Sequence, residues 1–464
     1  MTTRTERPPA APGGVWRSRP AGVPAGVPPP SVPLAFLAAA AAGLVACGGA
    51  WIWARGAAAV DPTADPVVAA VHFGVLATLA MGVLGATHQF TPVITGRPLR
   101  SLRLARATFV TWLAASWMLP FGIATEQVGV TAAGGALAGV AVVLLAANLS
   151  APLAVRGKGA PVTALRFAAG GAVLTSFLGV AFVGDRQGSW FGLSGHVDLA
   201  MGVIGMFGWL GVTYVGVAEK LWPMFMLAHL PGRHRSGTVA VWAIPTGAAA
   251  LAGGLAWGLA GLAWGGAAIL ALGLGAHLAS LWAHVRCRRR KADLHLVFVV
   301  TSAAWLFVGA GLALAAALVL PRHYDQGVAL VSAAMAAAGG WLLEALVGHA
   351  HKVVPFILWT ALRARGVARG PSGRQLMFAD LYDHTWAGVA YGTVTVGMAT
   401  LCAGLGASVP TATLAGGVLL GVTGVVMAAN LSVVPARLLA NRTGRASAAL
   451  PSIEGPPART RSGR

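Results

Sequence analysis

Apolar residues run through this chain in long unbroken stretches, not in the alternating or one-faced patterns of a water-soluble fold. A helix needs roughly 20 residues to cross about 30 Å of hydrocarbon. Twelve stretches reach that length: 33–54, 67–95, 105–124, 130–154, 161–184, 195–228, 239–259, 262–285, 293–320, 327–360, 384–405 and 409–435. Numbered as spans 1 to 12, they predict an all-α, polytopic membrane domain over 33–436. The flanks, 1–32 and 437–464, are broken by Pro, Gly and Arg and hold too little apolar surface to fold alone, so they are expected to be disordered tails.

Three spans end alike, in GATHQFTP (85–92), GVAEKLWP (216–223) and GHAHKVVP (348–355). These endings close spans 2, 6 and 10, four spans apart each time. A second echo, AANLS at 146–150 and 428–432, ends spans 4 and 12. Together they predict three quasi-equivalent units of four helices.

Composition agrees with the pattern. Of 464 residues, 56% are hydrophobic and only 10% charged, with a mean hydropathy of +0.72, too few polar side chains to cover a soluble globule. The net charge of +20 raises the possibility of nucleic acid as a partner, but its distribution gives another reason. Arg97, Arg100, Arg103 and Arg106, the run from Arg286 to Lys291, Arg363 to Arg374 and both tails all fall on one side of the predicted topology. The opposite loops hold only Arg55, Arg186 and Arg322. Such asymmetry places both termini in the cytoplasm and makes the lipid bilayer, not nucleic acid, the partner of the basic balance. A bacterial plasma membrane is the expected location. Cys47, Cys287 and Cys402 are too scattered for a disulfide framework or a Cys-based metal motif.

Ionisable groups inside spans are costly and usually functional. His88, Glu219 and His351 each stand four residues before their proline, so the repeat puts them at one depth. Two imidazoles and a carboxylate can hold a divalent metal or pass protons. The alternative is three interfacial residues, with Lys220 and Lys352 snorkelling to headgroups. His349, two residues from His351, points about 200° away from it. Glu344 lies seven residues before His351 on nearly the same face. It can serve a proton path or lock two helices as a hydrogen-bonded acid. His277, His284 and His295 flank the basic loop and read as interfacial.

The three-by-four plan, with VHFGVLATLA (71–80) leading to QFTPV (89–93), and His196 leading through GMFGWLG (205–211) to LWPMF (221–225), resembles the catalytic subunit of the heme-copper oxidase superfamily, which includes cytochrome oxidases and nitric oxide reductases. The resemblance implies a low-spin heme between spans 2 and 10. His72 matches the first ligand position, 92 − 72 = 20 residues before its proline, and the same offset in span 10, 355 − 20 = 335, gives Met335. Methionine is a competent axial ligand, and His/Met ligation raises the heme potential. The heme would be b-type, because the chain has no CxxCH attachment motif. The chain departs from the family at copper, which the resemblance would place on histidines of spans 6 and 7. Span 7 has none, Ala333 replaces the second heme's ligand, and His196 lies 27 residues before Pro223, about 10 Å from the depth of His72.

The implied function is heme-based electron transfer, redox sensing or nitric-oxide-related chemistry in place of standard oxygen reduction, with a redox partner or accessory subunit. If the protein is an enzyme, it would be an oxidoreductase. The competing class is a proton- or metal-ion-conducting transporter without heme, using His88, Glu219, His351 and Glu344. Transporter repeats, however, are usually twofold.

Overall fold

The computed structural model describes residues 26–157, 159–188, 196–230, 235–370 and 373–448. Among them are twelve helices long and apolar enough to cross a membrane: Ser31–Val60, Asp65–Thr95, Leu102–Ala124, Val128–Leu153, Gly159–Phe182, Val197–Met226, Ser236–Ala256, Ala260–Arg286, Leu294–Val319, Tyr324–Ala364, His384–Gly406 and Pro410–Ser432. They correspond one to one to the predicted spans and keep those numbers here. Boundaries move by a few residues, most at the end of span 1, which reaches Val60 instead of 54. The protein is therefore an all-α polytopic membrane fold. Most of the two predicted tails lies outside the described residues. Within them, the final helix runs on to Ala448, past the expected limit at 436.

Spans 2, 6 and 10 form the centre. The most apolar window of span 6 is 78% buried and that of span 10 is 61%, against 22% for spans 4 and 8. The lipid-facing helices keep their exposed apolar residues because hydrocarbon, not water, surrounds them. Span 12 packs back on span 1, with Gly48 against Gly417 and Gly421, and so closes the ring.

The threefold repeat is visible in the packing. Gly85, Gly216 and Gly348 each leave room for a residue of the preceding span, respectively Phe36, Ala164 and Phe298. Spans 3–4, 7–8 and 11–12 are tight hairpins whose turns superpose in chemistry. The carbonyls of Gly122, Gly254 and Gly404 accept from the N–H of Gln127, Leu259 and Val409, each at 2.8 Å. The residue in the left-handed region is Glu126 (φ 56°), Gly258 (φ 64°) and Ser408 (φ 54°) in turn. Only the middle unit uses glycine there, the residue that adopts this backbone without steric cost.

The AANLS echo also has a structural role. Asn148 Oδ1 accepts from the N–H of Ser101 at 2.9 Å, and Asn430 Oδ1 from the N–H of Asp383 at 2.7 Å. Ser101 and Asp383 are the N-caps of spans 3 and 11, so each asparagine fixes the loop that starts the hairpin.

The proline endings behave differently from one another. Pro92 and Pro223 lie inside their helices, which stop four residues later at left-handed Gly96 and Leu227, both bonded back to the proline carbonyl. Span 10 continues past Pro355 to Ala364. The centre holds a further departure, since residues Phe73–Ala80 and Ile204–Gly211 are π-helical. Their separation, 204 − 73 = 131, equals that of the prolines, 223 − 92 = 131. Two units therefore widen at one depth, a feature common at functional sites.

Candidate functional site

The proline ruler holds between the central helices. Leu346 packs over Gly82, a separation of 346 − 82 = 264 against 355 − 92 = 263 for the prolines. Met206 reaches Gly339, 339 − 206 = 133 against 355 − 223 = 132. Residues with matched offsets therefore share a level to within about one residue, or 1.5 Å.

At the outer level, His72 Nδ1 is 2.7 Å from the carbonyl of Val68 on its own helix. A histidine held this way keeps its Nε2 lone pair for another partner, as metal-bound histidines do. Met335 lies at the same level, with its terminal methyl against Gly202 of span 6, about 3.0 Å from where a Cβ would stand. His196 is exposed at the start of span 6, where its N–H donates to the Leu255 carbonyl at 3.0 Å.

The inner trio occupies equivalent positions but faces separate neighbours. His88 is fully buried, its Nδ1 is 2.7 Å from the Leu84 carbonyl, and its ring stacks on Phe36 at 5.3 Å. His351 repeats this arrangement, with Nδ1 2.9 Å from the Val347 carbonyl and its ring 6.2 Å from Phe298. Glu219 accepts from Ser280 Oγ at 2.6 Å. Ser280 stands 280 − 266 = 14 residues after Gly266, as Asn148 stands 148 − 134 = 14 after Gly134. Each inner side chain thus serves its own unit. Among the described residues no three His, Cys, Asp or Glu side chains are grouped as a metal would need.

Glu344 is buried and joins span 10 to spans 9 and 11. Trp305 Nε1 donates to it at 2.6 Å, Thr395 Oγ1 is 3.2 Å away, and Thr301 Oγ1 is in contact. Lys352 is also buried and pairs with Asp293, whereas Lys220 is exposed as a snorkelling lysine would be.

A further polar cluster among the described residues takes in His277 and His295, two of the histidines expected at the membrane interface. Around Tyr214 of span 6 gather His277 of span 8 (ring centres 5.6 Å apart), Trp341 (5.5 Å) and His349 (5.7 Å) of span 10. His295 of span 9 meets His349 edge to face at 4.7 Å, and Trp222 lies 5.1 Å from His277. The Tyr214 hydroxyl bonds Ser302. Eleven buried side-chain polar atoms lack a hydrogen-bond partner among the described residues, and five belong here: Trp222 Nε1, Trp341 Nε1, His277 Nδ1, His295 Nε2 and His349 Nε2. A buried polar atom without a partner costs about 1–3 kcal/mol, so five in one place mark a site for water or a ligand.

On the side of the basic loop the cluster is bordered by aromatic rings and Lys352. Phe225 stacks edge-on to His295 at 5.3 Å, and Lys352 lies over Phe225 and Phe378 at 5.9 and 5.6 Å. At the rim, burial and then the Asp293 carboxylate push the Tyr382 phenol up, against the opposing Arg290, so it stays a neutral donor. On the far side of Trp341 the facing surfaces of spans 6 and 10 are apolar: Met206, Phe207, Ala337 and Ala338.

No known family's sequence profile matches this chain, and no curated protein matches it.

Proposed function

We propose that the protein binds a b-type heme in the membrane, at His72, and serves electron transfer, redox sensing or nitric-oxide-related chemistry. The observation that carries this reading is the registered trio of spans 2, 6 and 10 at the centre of three four-helix units, the plan on which the oxidase resemblance rests. Within that plan His72 has the chemistry of a ligand, because Val68 holds its Nδ1 and fixes the ring while Nε2 keeps its lone pair. Met335 fits by depth; its methyl lies against Gly202 of span 6, so ligation would require its unbranched side chain to turn toward span 2. A heme so bound would supply one-electron exchange. The role of this chain would be to hold the ring rigidly and keep water from it, which the apolar faces around Met206 and Phe207 favour.

The transporter reading has less support. The polar cluster around Tyr214 reaches the middle of the membrane from one face, but the described surfaces beyond Trp341 continue it with apolar side chains. A conducted ion would have no polar partners over that stretch.

The test is a reduced-minus-oxidised absorption spectrum of protein purified from cells supplied with heme. A low-spin b-type band is expected, lost in His72→Ala and retained at lower potential in Met335→His. Absence of any heme band in the folded wild-type protein would sink the reading.

A further inference from the structure

The pair His295 and His349 has a property the heme reading does not use. The Nδ1 of His349 lies 2.8 Å from the carbonyl of Ala345 and donates to it, so its Nε2 carries a lone pair and no hydrogen. That Nε2 and the Nε2 of His295 are both sealed from the surface and without a hydrogen-bond partner, on rings whose centres are 4.7 Å apart. A lone pair and a second orphaned imidazole nitrogen, side by side in a membrane protein's interior, need a positively charged or hydrogen-donating bridge.

We propose that the Nε2 atoms of His295 and His349 bind a transition-metal ion, copper(I). Each nitrogen bonds a metal at about 2 Å, a reach that two adjacent imidazoles can share. Imidazole suits copper and zinc alike, and the surroundings choose between them. Among the described residues, the carboxylate two positions before His295, that of Asp293, is already paired with Lys352, so the ligands are neutral and the charge beside them is balanced. A divalent ion would keep a full uncompensated charge in a low-dielectric interior, whereas a monovalent one halves that burden. His277 stands across the Tyr214 ring from the pair and is not grouped with it, so the site is one of two imidazoles, a ligand number copper(I) accepts. The pair lies close to the basic face, where Asp293 is 40% exposed and His295 is the second residue of span 9, so that face is the shorter way in for an ion. The site lies on spans 9 and 10, apart from span 7, and does not depend on heme.

The experiment uses full-length protein in detergent, loaded anaerobically with copper(I) against a chromophoric copper(I) chelator, with zinc(II) in a parallel arm. Copper is expected to stay with the chain after gel filtration, and His295→Ala and His349→Ala should each weaken it more than about tenfold, while His88→Ala leaves it unchanged. X-ray absorption of loaded wild-type protein should show a first shell of imidazole nitrogens, and this keeps the test decisive if an alanine variant fails to fold. Failure of the folded wild-type chain to retain copper would overturn the proposal, as expected if a water bridges the two rings. So would retention of zinc but not copper, unchanged retention in the double alanine variant, or a sulfur-dominated shell. The heme band is read separately, so either proposal can fail without the other.

Discussion

A buried carboxyl in a membrane helix is defined by its hydrogens, and Glu344 shows how. The Thr301 hydroxyl has one hydrogen and three acceptor contacts, the Val297 and Phe298 carbonyls at 2.8 and 3.4 Å and Glu344 Oε1. The carbonyls have no hydrogen to give, so when Thr301 donates to Val297 the proton in the Glu344 contact comes from the carboxyl. The residue then acts as a neutral acid that accepts from Trp305 and ties span 10 to spans 9 and 11. Glutamine offers the same pattern, with an amide oxygen for Trp305 and an NH2 group for Thr301 and Thr395. Glu344→Gln should therefore melt within a few degrees of wild type in detergent. Glu344→Ala should lose about 1–3 kcal/mol, because the buried Trp305 N–H is left without a partner, and the half-buried Thr395 hydroxyl also loses its acceptor. Equal damage from both substitutions would instead require an ionised carboxylate at this position.

The two asparagine echoes let the units be compared as elements. Asn430 accepts from the Asp383 N–H and returns a bond to the Asp383 carbonyl at 2.9 Å, whereas Asn148 accepts from Ser101 and its Nδ2 has no partner among the described residues. Asn430→Ala should then destabilise by about 1–2 kcal/mol, more than Asn148→Ala, since each lost net bond is worth about 1 kcal/mol. Thermal unfolding of the two variants side by side measures the difference, and a larger loss at Asn148 would contradict the bond pattern. The AANLS echo, the three prolines and the twelve spans were legible in the sequence because residue type sets them directly. The π-helical segments were not, since bonding to the fifth residue needs no particular side chain. The Tyr214 cluster escaped for a different reason. Its members come one or two each from spans 6, 8, 9 and 10, so no spacing within a span announces it. His349 was rightly placed on the opposite side of the helix from His351. That side faces Tyr214 and His295, while His351 faces Phe298 and lies 6.0 Å from Tyr382.

For the molecule as a whole, hydropathy fixes how many helices cross, but only charge orients them. The end of span 8 carries the strongest signal, because Arg286 closes it and Arg288, Arg289, Arg290 and Lys291 follow before span 9, with no acidic residue before Asp293. The positive-inside rule puts such a segment on the cytoplasmic side, an orientation that Cys287, which lies within it, can test. This cysteine is partly exposed, whereas Cys47 and Cys402 are 4% and 7% exposed inside the helix bundle. The chain therefore carries its own topology reporter. A membrane-impermeant maleimide should leave intact cells unlabelled and should label one cysteine in inside-out vesicles, with the signal removed by Cys287→Ser. Labelling of intact cells at Cys287 would turn the whole ring over. The His295 and His349 pair would then lie near the outer face, and the shorter way in for an ion would be from outside the cell instead of from the cytoplasm.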